Sequence, residues 1–215
     1  MTKYLLTIVL TAVITDPAVL KSVAFPNEPT LPQTAEPRKA SPSPATEIAS
    51  IDRYAAQLDQ YAKRNEKTAQ IFGDISSGTT DEKSNWKKFK TTKEREDAST
   101  GENLNEQAEV WRRAGKVVRV TMTFGSPSGD WAHFVTYYFR DDGSVAEIHG
   151  ELNTFYGDLR VVSDHYYSQD GKLLKTKRLF LDLKTKRPKK PGDYQPRKSE
   201  PVYKKASDLP FSKLL

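Results

Sequence analysis

The chain has 215 residues, no cysteine, and 34 Lys or Arg against 28 Asp or Glu, for a formal net charge of +6. The lack of cysteine excludes disulfides, thiolate metal sites, a cysteine nucleophile and a lipid-modified N-terminal cysteine. An apolar content of 36% with 10% aromatic residues suffices for the core of one domain of ordinary size.

Lys3 precedes an apolar run from Tyr4 to Ile14, and Ser22-Val23-Ala24 places small residues at the −3 and −1 positions of a cleavage site. This pattern predicts a signal peptide over residues 1–24 and an exported protein, periplasmic or extracellular. The run is about half the ~20 residues that span a bilayer, and Asp16, Pro17 and Lys21 interrupt it. An uncleaved N-terminal membrane anchor is the alternative. Residues 25–45 carry prolines at 26, 29, 32, 37, 42 and 44 and predict a semi-rigid extended linker.

Residues 46–215 are expected to form a single α+β domain with a basic, Pro-rich C-terminal extension. A helix opens it, with Ser43 as cap, Pro44 at the first helical position and Gly73 as terminator. Ile51, Tyr54, Ala55, Leu58, Tyr61, Ala62, Ala69 and Phe72 follow helical spacing and make one apolar stripe. A stripe of about seven turns needs a broad partner, and a sheet is the expected one. Next, Asn85 to Lys90 reads as a short edge strand whose lysines oppose edge-to-edge pairing. Glu94 to Asn105 reads as a surface loop.

From Ala108 to Leu183 the chain repeats every 28 residues. Trp111, Phe139 and Tyr167 are each followed four residues on by Gly115, Gly143 and Gly171. A period of this size marks a repeated supersecondary unit, here a β-hairpin turned at Asp142-Gly143 and Asp170-Gly171. The Tyr137-Tyr138-Phe139-x-x-Asp142-Gly143 rhythm resembles that of β-rich modules in exported bacterial proteins, and it implies no activity. Six strands are predicted near 107–113, 116–124, 131–140, 144–153, 158–168 and 172–183. Short connections make them a curved antiparallel meander.

With Asp142-Gly143 as a two-residue turn, Phe139, Tyr137, Val135 and His133 oppose Ala146, Ile148, Gly150 and Leu152. The helix is expected to cover this apolar face. Side-chain alternation puts Phe134, Thr136, Tyr138 and Arg140 opposite Glu151, His149, Glu147 and Val145 on the other face. Phe134, Tyr138, Arg140, Glu147, His149 and Glu151 form a polar-aromatic surface there. Such a surface suits sugar stacking or protein contact, or is ordinary cross-strand pairing on a solvated face.

Residues 172–205 hold thirteen Lys or Arg against three Asp or Glu, leaving 21 basic and 25 acidic residues elsewhere. Lys184, Lys186, Arg187, Lys189 and Lys190 are candidates to meet an anionic polysaccharide, lipid headgroups or an envelope protein. Export makes nucleic acid the poorest partner of this class, and any membrane contact peripheral once a leader is cleaved. Val202-Tyr203, Leu209-Pro210-Phe211 and Leu214-Leu215 are expected to pin the tail back onto the domain.

No cofactor or metal is expected, because His133 and His149 fall on opposite faces and metal ligands must converge. Ser126 to Trp131 lacks a nucleophile elbow, and no phosphate-binding glycine loop is present. Glu147 and Glu151, two apart on one strand, point the same way and flank a bond poorly. The sequence therefore predicts a non-enzymatic exported binding module. A glycan-directed hydrolase using Glu147 or Glu151 with Tyr138, and a purely structural envelope protein, are the alternatives.

Overall fold

The structure, a computed structural model, describes residues 43–76, 83–101, 106–126, 128–190 and 200–215. The predicted signal peptide, nearly all of the predicted linker and part of the basic extension lie outside these residues. A 21-residue helix, α1 (Pro44–Arg64), starts with Ser43 Oγ accepting the Thr46 N–H. β1 (Gln70–Asp74) and β2 (Trp86–Phe89) follow, then α2 (Thr92–Gly101). The remaining strands are β3 (Glu106–Arg113), β4 (Lys116–Gly125), β5 (Trp131–Phe139), β6 (Val145–Thr154), β7 (Leu159–Tyr167) and β8 (Leu173–Asp182). One sheet joins all eight in the order β2-β1-β3-β4-β5-β6-β7-β8, with every pair antiparallel. An α+β class and an antiparallel sheet are thus present, with eight strands in place of the expected six.

Three local expectations need correction. The helix stops at Arg64 rather than at Gly73, because Asn65 donates its Nδ2–H to Tyr61 O and its backbone N–H to the same turn. Phe72 then belongs to β1, where it pairs with Ala108 and is fully buried. Secondly, the expected loop from Glu94 contains α2, whose first turn is fixed by Thr91 Oγ1 accepting the Glu94 N–H and Glu94 accepting the Lys90 N–H. Reciprocal side-chain bonds of this kind are the capping-box solution to unpaired N-terminal donors.

The third correction concerns the turns. Arg140 N–H bonds Ser144 O and Gly143 N–H bonds Arg140 O, so three residues, not two, form the loop, with Gly143 at φ 81°. The turn 28 residues later has the same two bonds, Ser168 to Lys172 and Gly171 to Ser168. Loops of this kind end in a left-handed glycine and insert a bulge. Accordingly Phe139 pairs with Val145, and Ala146 is turned to the opposite side of the sheet. The primed two-residue turn occurs instead at Ala114-Gly115, both with positive φ.

The largest correction is which layer covers which face. The apolar face carries Phe72, Val110, Val120, Met122, Val135, Tyr137, Phe139 and Ile148, and it packs against Leu209 and Phe211 of the C-terminal segment. Phe211 stacks on Phe72 with ring centres 4.8 Å apart and meets Trp86 at 4.7 Å. Residues 200–215 are therefore a strap that closes the main core. α1 lies on the other face, the polar-aromatic one, burying Ile51, Ala55, Leu58 and Ala62 against Val118, Tyr138, Ala146 and Tyr166. Only four helix positions are buried, and two of them are alanines. Tyr54 Oη to Phe139 O and Tyr61 Oη to Arg112 O, both 2.7 Å, complete the attachment.

Candidate functional site

Because α1 is narrow and small-residued where it crosses the sheet, it leaves a cleft of about 760 Å³ between itself and the strands. Asp52, Asp59 and Lys63 line it from the helix, Glu66 from the turn after it, and Glu109, Trp111, Arg119, Tyr138, Glu147 and His149 from the sheet. Tyr138, Glu147 and His149, three residues expected to share a face, meet here. Tyr138 and Trp111 offer no free ring face. The Arg119 guanidinium lies 4.7 Å from the Trp111 ring centre and 5.9 Å from that of Tyr138, and both rings are buried. Asp59 Oδ1 ties this group together, accepting from Arg119 Nε at 3.0 Å and from Tyr138 Oη at 2.9 Å.

The deeper wall is built by β6 and β7. His149 pairs with Asp164 across the ladder, and its Nδ1 is hydrogen-bonded to Asp164 Oδ1 at 2.7 Å. That hydrogen bond leads the causes that raise the His149 pKa above its ordinary value, since the imidazolium is the better partner for a carboxylate. Glu147, one pleat repeat along, is 6% exposed, and its Oε2 has no hydrogen-bond partner among the described residues. Burial pushes its carboxyl up to about 7, and the nearby charges of Asp164 and Asp52 add to the effect. Sequence reasoning named Glu147 and His149 but missed Asp164. The signal was available, because the short β6–β7 connection near Tyr156-Gly157 sets that register.

The other expected residues are placed elsewhere. Glu151 turns away to Arg160 at 2.5 Å and Asn153 at 3.0 Å, bonds that outweigh its burial and hold its pKa down. Phe134 lies further along the same face, 39% exposed. Arg140 lines a separate cavity of about 310 Å³, where it donates to Val145 O at 2.5 Å and Tyr167 O at 2.6 Å. Its guanidinium ties two strand ends together.

The basic run follows β8, beside Leu159 at the end of β7 remote from Tyr166. Rather than staying extended, it reverses tightly. Asp182 Oδ1 accepts the Lys184 and Thr185 N–H groups at 3.2 and 2.8 Å, and Lys186 adopts φ 61°. These hydrogen bonds, led by those from Thr185, hold the Asp182 carboxyl down at about 2. Pro188 then bridges back to Leu181. Lys189 is a pin, its Nζ donating to Gly157 O at 2.8 Å and Asp158 O at 3.2 Å beside Asp182. Lys184, Lys186, Arg187 and Lys190 remain exposed.

On the opposite face the strap carries a carboxylate whose side chain is 9% exposed, Glu200. Glu200 Oε1 accepts from Ser163 Oγ, and Oε2 lies 3.1 Å from His165 Nε2. His133 Nε2 lies 3.8 Å from Oε1, beyond hydrogen-bond distance. Gly150 leaves the room: a Cβ there would come within 2.4 Å of Glu200 Oε1 and 2.8 Å of Ser163 Oγ. No protein-family model, curated protein or solved structure matches the chain.

Proposed function

We propose that the chain is an exported, non-enzymatic binding module that attaches to an anionic envelope surface through the basic turn after β8 and seats a positively charged ligand in the acidic cleft. The sorting of charge carries this reading. Five carboxylates (Asp52, Asp59, Glu66, Glu109 and Glu147) line the cleft against two permanent cations, Lys63 and Arg119. Arg119 is already committed to Asp59. Lys184, Lys186, Arg187 and Lys190, exposed like the cations of α1 and β2, sit together in one turn at the far end of the β7–β8 ladder. With the Trp111 and Tyr138 rings buried and covered by Arg119, a ligand there is recognised through its charge and polar edges rather than by stacking. No helix among the described residues is long and apolar enough to cross a membrane.

Two titrations test the reading. Vesicles containing phosphatidylglycerol, and separately an acidic polysaccharide, should bind the protein at 50 mM salt and release it near 300 mM, since attraction between exposed charges is screened over a Debye length of ~8 Å at physiological salt. Replacing Lys184, Lys186, Arg187 and Lys190 by Gln should abolish binding to both. No binding to either at low salt discards the surface claim. A lysine oligomer, which is polycationic at neutral pH, should shift the nuclear magnetic resonances of Trp111 and His149. Unchanged spectra discard the cleft claim.

One observation favours the hydrolase alternative: Asp164 orients His149 beside a buried Glu147, a set of groups suited to proton transfer. Against it, Glu147 and Asp164 stand on neighbouring strands of one face and approach a bond from the same side. Glycoside hydrolysis needs carboxylates that flank the bond. Release of reducing ends from glycan substrates would reverse that preference.

A further inference from the structure

We propose that Glu147, His149 and Asp164 form a binding site for one divalent transition-metal ion, with zinc the best chemical fit. The inference deepens the cleft reading by naming what the cleft holds. Register brings the three together: His149 and Asp164 are direct partners on β6 and β7, and Glu147 is two residues from His149 on the same face. One ligand atom from each lies within 4.8 Å of the other two.

The independent observation is Glu147 itself. It is more than nine-tenths buried, lines the cleft, and has an oxygen with no hydrogen-bond partner among the described residues. A buried carboxylate in that condition is costly, and a native structure that keeps one calls for a partner. Asp164 and Asp52 add negative charge nearby, and Lys177 does not cancel it. The Lys177 ammonium donates to Tyr166 Oη at 2.6 Å and lies 3.7 Å from Asp52, whose charge it shares.

The donor set selects the ion. Imidazole nitrogen suits zinc and its neighbours, whereas magnesium and calcium prefer oxygen alone. Zinc bonds of about 2.0–2.2 Å put tetrahedral ligand atoms roughly 3.3–3.6 Å apart. The 2.7 Å separation of His149 Nδ1 and Asp164 Oδ1 therefore opens slightly as the metal replaces the hydrogen-bonding proton, and Glu147 closes in by side-chain rotation. Three protein ligands leave a fourth position toward the cleft, the arrangement that accepts water or an exogenous ligand. The other histidine–carboxylate group, at Glu200, is different because both of its oxygens already have partners.

The full chain, dialysed against zinc chloride at neutral pH and passed through a desalting column, should retain one zinc per chain by elemental analysis. Glu147→Gln and His149→Gln should each weaken zinc at least tenfold by isothermal titration, whereas Asp170→Asn, exposed in the β7–β8 turn outside the cleft, should leave it unchanged. Manganese(II) added to the unsubstituted protein should broaden the His149 ring resonances before those of His133 and His165, a reading that needs no variant. Overturning results are a chain that retains no zinc, variants that bind like the original, or broadening that begins at His165. Zinc binding without oligomer binding keeps the metal site and discards the cationic-ligand reading. Oligomer binding by a chain that retains no zinc does the reverse.

Discussion

Glu147 and Glu200 lie on opposite faces of one sheet, and the fold treats them in opposite ways. Glu200 arrives with the C-terminal strap into a prepared socket of Ser163, His165 and His133, made possible by the bare Cα of Gly150. Burial alone would raise its pKa, but nearby donors, with Ser163, its own backbone and His165 as hydrogen-bond partners, hold it far below the usual carboxylate range. Glu147 is buried without such donors and is pushed up to about 7. The face beneath the strap is finished as to its carboxylate, since both Glu200 oxygens are paired, although buried His133 Nε2 and Trp86 Nε1 have no hydrogen-bond partner among the described residues. The face beneath α1 keeps an unsatisfied acid in a cleft. A group held at a cost to folding is where function is sought, because stability and function compete for the same residues.

The largest effect is expected from opening the finished face. Phe211→Ala removes a buried ring stacked on Phe72 and packed on Trp86. It should cost about 3–5 kcal/mol and lower the melting temperature by roughly 10 °C. A loss below about 1 kcal/mol by urea unfolding would mean that the strap is only loosely attached.

The second test concerns Glu147 and has the opposite sign. Its folded pKa lies above its unfolded value, so ionisation destabilises the fold as pH rises from about 4.5 through 7. In metal-free protein, Glu147→Gln should therefore gain stability at pH 8.5, on the order of 3 kcal/mol, and none at pH 4. Parallel pH–stability curves for the two proteins would remove the contrast.

On the finished face, Gly150→Ala should cost about 1–3 kcal/mol, because the methyl group meets a Glu200 side chain that is anchored at both oxygens. Adding Glu200→Ala should make that substitution less costly. Glu200 also sharpens the pH contrast. Its folded pKa is depressed, so its contribution is present above the unfolded value near 4.5 and is lost as pH falls. The stability difference between the original chain and Glu200→Gln should shrink from pH 6 to pH 3, the mirror image of Glu147. The smallest effect belongs to the exposed cations: replacing Lys184, Lys186, Arg187 and Lys190 by Gln should change stability by less than about 0.5 kcal/mol. Lys189→Gln should cost more than any one of them, since its ammonium holds two carbonyls and Asp182.

Much of the sheet is determined by the sequence itself. Alternation over β5 and β6 with a turn at Asp142-Gly143 yields the pairing of Phe134 with Glu151, Thr136 with His149 and Tyr138 with Glu147, all observed. It erred only where the glycine inserts a bulge and moves Ala146 across the sheet. These features are local: side-chain period, turn residues and short connections act within a few positions of one another. What covers each face was decided by tertiary structure alone. An apolar stripe on residues 51–62 says that a helix will be buried, but not against which of two faces. Leu209 and Phe211, arriving last, compete for the more apolar one and take it with larger side chains. The same holds for the end of α1, where Phe72 fits a helical stripe and a strand equally and pairing with Ala108 decides. Asp164 joined the candidate site by pairing across β6 and β7, and Lys189 left the basic run because Gly157, Asp158 and Asp182 stood within reach. Sequence spacing records which residues share a side of their own strand; contacts between residues distant in the chain exist only once the strands and the strap are packed.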